Sequence, residues 1–167
     1  MTATVPRLGF IGVGAMGQQI YHVGPVGMGK VFKLCNQYLN GATTALVGEA
    51  LTLGAKAGAD LSLLVEVLSA SSGASRALTG AAPALLAATP PPVGFRLDLM
   101  RKDVGLALAL GNAVGAPLAT GAVAHQFYAA ASVSGLGSRN HTELGKLFAQ
   151  LAGADLAASD EKTGDRV

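Results

Sequence analysis

The sequence predicts a mainly α-helical fold, led by one short β-strand and a glycine turn. Three observations carry this reading. Apolar residues recur at helical spacing through long proline-free stretches, glycine and proline punctuate those stretches at intervals, and a strand-like apolar run occurs once, at Leu8 to Ile11.

That run ends at Gly12 and suits a buried strand entering a turn. From Met28 to about Ala57 there is no proline, and Val31, Leu34, Tyr38, Leu39, Ala42, Ala45, Leu46, Ala50 and Leu53 fall on helical spacing. Gly41 and Gly48 each weaken this helix by up to ~1 kcal/mol relative to alanine, and they also let a neighbouring helix approach closely. Gly58 punctuates, Asp60 or Ser62 can cap, and a second helix covers Leu61 to Leu68. Ser69 to Ser75 reads as a loop, Arg76 to Ala88 as a shorter helix, and Thr89-Pro90-Pro91-Pro92 as its stop. A helix from about Leu97 to Val114 closes at Gly115 and Pro117, and Pro117 can start the next, to about Val133. Gly135-Leu136-Gly137 breaks it, Thr142 to Leu151 makes the last helix, and the polar, aperiodic residues from Asp155 to Val167 read as a frayed tail.

Length and composition narrow the function classes. The 167 residues suffice for one domain with a real core, half of them are apolar and 13% are charged. No apolar run approaches the ~20 residues of a membrane span. A net charge of +2 without a basic cluster, together with few aromatics and no tryptophan, argues against nucleic-acid binding. Cys35 is the single cysteine, which excludes an internal disulfide and makes a reducing cytoplasm the expected location. Within the helical pattern its thiol is expected to be packed. No targeting peptide is read at Met1 to Arg7. His22, His125 and His141 share no metal-ligand spacing, so no metal site is expected.

Two glycine patterns lie close together in Leu8 to Gln37. In Gly12-Val13-Gly14-Ala15-Met16-Gly17 the three glycines are placed for a tight turn, for approach of backbone to a pyrophosphate, and for close helix–strand packing. A dinucleotide fold also needs a βαβ unit of about 30 residues and an acidic residue ~20 positions on. Here only Gln18 to Val23 separate Gly17 from the second pattern, and the first acidic residue is Glu49, inside the long helix. The alternative is an apolar arm packed on the helical body. In the second pattern Gly24, Gly27 and Gly29 precede Lys33, Asn36 and Gln37. Lys33 and Gln37 are four apart and share a helix face. An ammonium near a helix start and beside apolar groups can exchange a proton with a hydroxyl or carbonyl group, whereas a lone lysine there is ordinarily just solvated.

"GPVGMGKVFKLCNQ", the helix containing Glu49-Ala50, "GFRLDLMRKDVGLAL" and "SGLGSRNHTEL" together resemble the 3-hydroxyacid dehydrogenase family, which includes 3-hydroxyisobutyrate dehydrogenase and tartronate semialdehyde reductase. "LGFIGVGAMG" is similar to the start of that family's NAD(P)-binding domain, so the resemblance runs from about Leu8 to Ala152. It implies hydride transfer between NAD or NADP and a small 3-hydroxy acid or its semialdehyde. Lys33 falls on the catalytic lysine that protonates the carbonyl oxygen, and Asn36 or Gln37 on the amide that positions substrate. Lys102 matches a cofactor-contacting lysine, and Gly12 to Gly17 match the cofactor turn. Asp103 is then structural or substrate-proximal, and Asn140 replaces an aspartate common before His141. The Asn-Gln pairing looks more like the tartronate semialdehyde reductase branch.

The large departure lies between Ile20 and Tyr21, where relatives carry most of a nucleotide-binding domain. Three parts follow: 1–23, a truncated NAD(P)-binding strand and glycine turn; 24–154, an all-helical dehydrogenase C-terminal domain; and 155–167, a disordered tail. Two functions compete. One is an oxidoreductase of this family. The other is a non-catalytic helical domain that assembles into a homo-oligomer through the long helix, whose apolar surface exceeds what one small helical body covers.

Overall fold

The computed structural model describes residues 23–89 and 92–157. The expected strand at Leu8 to Ile11, the glycine turn Gly12 to Gly17, His22 and the end of the expected tail beyond residue 157 lie outside the described residues. Six α-helices occupy the rest: α1 Met28–Lys56, α2 Leu61–Ser69, α3 Arg76–Leu86, α4 Leu97–Val114, α5 Ala119–Ala131 and α6 Leu144–Ala152. The described residues contain no strand, only an isolated bridge between Arg96 and Asn140.

The long helix α1 is the axis, and α3, α4, α5 and α6 all pack on it. Its buried positions Gln37, Gly41, Thr44, Ala45, Gly48, Leu51 and Thr52 follow helical spacing and form one face. That face serves two cores in succession. Ala42 and Ala45 meet Leu97, Met100 and Val104 of α4, Tyr128 of α5, and Leu144 and Phe148 of α6. Further along, Val47 and Leu51 meet Leu61 of α2 with Leu78, Ala81 and Leu85 of α3. Each fully buried leucine or tyrosine contributes roughly 1.5–3 kcal/mol of transfer free energy.

Close approach depends on the α1 glycines. A Cβ on Gly41 would stand 2.6 Å from Val104 Cγ2, and one on Gly48 would stand 2.7 Å from the Gly145 Cα of α6. The buried Tyr128 hydroxyl donates to the Gly41 carbonyl at 3.1 Å, so its polar end is satisfied inside the core.

The boundaries follow the local chemistry. Asp60 accepts from the Leu63 N–H at 3.0 Å and caps α2, while Gly115 ends α4 with φ +73°. Differences from expectation are physical. Helix α3 ends at Leu86 rather than Ala88: Ala87 is already extended, with φ −73° and ψ 133°, ahead of the proline run that cannot continue a helix. Pro117 precedes α5 without starting it, since Leu118 is non-helical. After α5, Ser132–Leu136 forms a wide turn with Gly135 at φ +91°, and a 3₁₀ turn, His141–Glu143, leads into α6.

The expected apolar face of α1 splits in two. Ala42 and Ala45 are buried, but Leu39, Leu46 and Leu53 are 65%, 54% and 72% exposed. With Phe32, 48% exposed, they form an outward stripe at seven-residue intervals. No helix among the described residues is long and apolar enough to cross a membrane.

Candidate functional site

Two left-handed glycines, Gly24 (φ +104°) and Gly27 (φ +100°), turn the chain into α1. The first turn is held by backbone alone: Met28 N–H donates to the Pro25 carbonyl at 3.1 Å, and Lys30 N–H to the Gly27 carbonyl at 3.0 Å. Lys33, Asn36 and Gln37 follow on the next turns. Lys33 and Asn36 are exposed, and Gln37 is buried.

Gln37 crosses to α4. Its Nε2 donates to Asp103 Oδ2 at 2.9 Å, and its Oε1 accepts from Asn36 Nδ2 at 3.3 Å. These two bonds fix the amide with nitrogen toward the carboxylate. The other carboxylate oxygen, Asp103 Oδ1, is 3.0 Å from Lys102 Nζ. The Asp103 side chain is 12% exposed and that of Lys102 is 60% exposed, so the carboxylate is anchored inside and the ammonium reaches outward from it. Asn36, Gln37, Asp103 and Lys102 thus form one continuous polar strip across α1 and α4. Lys33 lies one turn before Gln37 on the same side of α1 and touches none of the strip through a hydrogen bond or ion pair among the described residues.

Beyond Asn36 the surface sinks into a cleft of about 600 Å³ between α1, the start of α3 and the His141 turn. Asn40, Arg76, His141 and Thr142 are on its walls. Sequence reasoning placed no function on these residues. Arg76 stood only as a helix start, and His141 was weighed for metal spacing and otherwise named only as the neighbour of Asn140. Among the described residues no group of three His, Cys, Asp or Glu could hold a metal ion. Cys35 is exposed, contrary to the packed thiol expected, and lies on the rim of an apolar groove of about 250 Å³ with Val31, Leu34 and Leu118. Helical spacing set it among apolar neighbours, but the groove beside it is open.

A dinucleotide needs cations for its phosphates and a crevice at the end of a parallel sheet. Lys102 offers an outward cation tethered through Asp103, while a parallel-sheet crevice is not formed among the described residues. The glycine-turn residues Gly12, Val13, Gly14, Ala15, Met16 and Gly17 lie outside the described residues.

Comparison with known proteins bears on this arrangement. A family model described as NAD-binding of NADP-dependent 3-hydroxyisobutyrate dehydrogenase matches residues 27–148. The chain is 34% identical over 142 residues to 2-(hydroxymethyl)glutarate dehydrogenase of Eubacterium barkeri, covering 85% of this chain and 47% of that protein. It is 42% identical over 119 residues to 3-hydroxyisobutyrate dehydrogenase of Pseudomonas aeruginosa, covering 68% of this chain and 40% of that one. The crystal structure of 3-hydroxyisobutyrate dehydrogenase from Salmonella typhimurium superposes with TM-score 0.72 at 24% identity, over 80% of this chain and 47% of that one, and bears out the helical-domain fold. The chain spans about half or less of the length of the curated relatives it matches.

Proposed function

The chain belongs to the 3-hydroxyisobutyrate dehydrogenase family, and from that premise we propose that it forms the substrate-facing helical part of an NAD(P)-dependent oxidoreductase acting on a small 3-hydroxy acid or its semialdehyde. The two relatives compared above are named for 3-hydroxyisobutyrate and 2-(hydroxymethyl)glutarate, which share a primary hydroxyl two carbons from a carboxylate. The observation that carries the reading is the Asn36–Gln37–Asp103–Lys102 strip with Lys33 one turn away.

Within this reading a bound nicotinamide would supply hydride chemistry at the substrate's carbonyl or carbinol carbon. Lys33 gives its Nζ proton to the carbonyl oxygen as that oxygen gains charge. The exposed amide of Asn36, held by Gln37, positions the substrate, and Gln37 is itself held by Asp103 so that the pair keeps one orientation. Lys102, tethered by Asp103, is the residue that would hold the cofactor on this side. The sheet that would carry the dinucleotide must come from residues beyond those described, either of this chain or of a partner. Turnover of tartronate semialdehyde with NADH or NADPH tests this. Lys33→Ala should lower kcat by roughly 10² to 10⁴ without loss of helicity, and turnover equal to the parent's would exclude Lys33 as the proton donor.

A second reading is favoured by the outward stripe of Phe32, Leu39, Leu46 and Leu53. These side chains suit a helix-to-helix interface between two copies of the chain, which would serve assembly with or without catalysis. Light scattering that finds a monomer at high concentration would exclude it.

A further inference from the structure

We infer that the open groove between α1, the end of α4 and the approach to α5 is the docking seat of this chain's own apolar run Leu8-Gly9-Phe10-Ile11. The inference stands apart from the dehydrogenase reading, because neither Lys33 nor any member of the polar strip lines this groove.

The groove is fixed by its surroundings. Val31, Leu34 and Tyr38 line it from α1, Leu110 and Val114 from α4, and Leu118 from the bend before α5. Two glycines hold these walls at close quarters: a Cβ on Gly111 would stand 2.7 Å from Leu118 Cδ1, and one on Gly121 of α5 would collide with the Tyr38 ring. No charged side chain lines the groove among the described residues, and its side-chain polar atoms are the Tyr38 hydroxyl and the Cys35 thiol. A charged group seated there would lose its hydration without a partner, so the occupant is uncharged and apolar. The size is also informative. A cavity of about 150 Å³ takes a benzene ring, and this groove of about 250 Å³ has room for a phenyl group beside an aliphatic side chain.

That chemistry selects among the segments of this chain. Residues 158–167 include Asp160, Glu161, Lys162, Asp165 and Arg166, whereas residues 8–17 carry no charge and place Leu8, Phe10, Ile11 and Val13 close together. A second copy offers the stripe of Phe32, Leu39, Leu46 and Leu53, but of these only Leu39 borders the groove, so pairing of two stripes leaves the α4 wall uncovered. The path of the chain suits the run as well. A Cβ on Gly24 would stand 3.5 Å from Met28 Cγ, so the chain enters α1 along the Met28 side chain. Met28, Cys35 and Leu39 are spaced to share a helix face, and the last two border the groove. Leu39 is ~17 Å along the axis from Met28, while residues 12–23 can span up to ~40 Å. Attachment to the same chain gives the run an effective concentration of about millimolar at the groove, which a second copy in dilute solution does not match.

Cys35 is the single cysteine and stands on the rim, so its reactivity reports whether the groove is filled. The rate at which the full chain's thiol reacts with an aromatic disulfide reagent is measured for the parent and for Phe10→Asp with Ile11→Asp. Each buried apolar side chain is worth about tenfold or more in the docking equilibrium, so the double variant should react at least ~10-fold faster than the parent at unchanged helicity. Val114→Asp should accelerate the reaction similarly from the groove's side, because Val114 is already exposed and its replacement leaves the core intact. Val133→Asp, equally exposed and away from the groove, should keep the parent's rate. In the parent, nuclear Overhauser contacts should join the Phe10 ring to the methyls of Val31 and Val114. Equal rates in the parent and the double variant would overturn the inference. Protection of Cys35 that disappears on dilution and ignores the Phe10 and Ile11 changes would assign the groove to a second copy and overturn it too. No step of the test uses NADH, so absence of cofactor binding would reject the dehydrogenase reading alone.

Discussion

Replacing Gly48 with alanine should destabilise the protein, although the same change in an ordinary helix stabilises it. The added Cβ would stand 2.7 Å from the Gly145 Cα and 2.9 Å from Phe148 Cδ2. Ordinary carbon contacts lie near 3.5–4.0 Å, so α1 and α6 would have to separate by nearly an ångström, and the nearest atom is backbone that cannot rotate away. Overpacking of this kind costs roughly 1–3 kcal/mol, and the rigid neighbour places Gly48 at the upper end. Better helix propensity returns about 1 kcal/mol, which leaves a net loss of ~2 kcal/mol. At about 2–4 °C per kcal/mol for a chain of this size, Tm should fall by ~4–8 °C. Gly80 is the control. It also sits inside a helix, but a Cβ there meets nothing within 4 Å, so Gly80→Ala should raise stability by up to ~1 kcal/mol. Calorimetric melting of the two variants separates the effects, and a Gly48→Ala protein as stable as the parent would refute the close α1–α6 crossing.

Further outcomes follow from the same geometry. Glu143 is 1% exposed and accepts from Arg139 Nε and Nη2 and from Lys146 Nζ at 2.9–3.3 Å. Burial alone would raise its pKa, but the two cations outweigh it and the carboxyl is held below its ordinary value. Its contribution is therefore complete above the unfolded carboxylate pKa and disappears as pH falls through the lower folded value. Melting curves between about pH 6 and pH 3 should show a shallower acid loss for Glu143→Gln than for the parent, and parallel curves would contradict the pairing. Gln37→Leu should cost ~1.5–3 kcal/mol by leaving Asp103 Oδ2 without its buried donor, read from urea unfolding. Leu39→Glu with Leu46→Glu should abolish any dimer detected by light scattering while leaving helicity unchanged, because both side chains already face outward.

Helix positions were largely legible because their ends rest on local chemistry. The bounds of α4 follow from its apolar spacing and from Gly115, whose positive φ only glycine adopts readily, and α2 starts where Asp60 can cap. The α1 glycines announced close packing, and Gly41 and Gly48 deliver it. What failed to show was whatever depends on the third dimension. Apolar spacing could not divide α1 between the buried Ala42 and Ala45 and the exposed Leu39 and Leu46, because adjacent stripes have the same periodicity. Cys35 was misread for that reason. Lys33, Gln37 and Lys102 were nominated by motif, but the bond from Gln37 to Asp103, 66 residues away, could only come from the packing of α4 on α1. His141 offered no spacing signal at all. Its Nδ1 contacts, to Asn140 beside it and to the Phe95 carbonyl across from it, come from the packing of the turn.

The central claim, that this chain contributes to a nicotinamide-dependent site, is tested most directly by isothermal titration of the purified protein with NADH and with NADPH. Saturable heat with one of them, weakened in Lys102→Ala, is the predicted result. No heat from either cofactor at millimolar concentration would contradict the claim for the chain on its own.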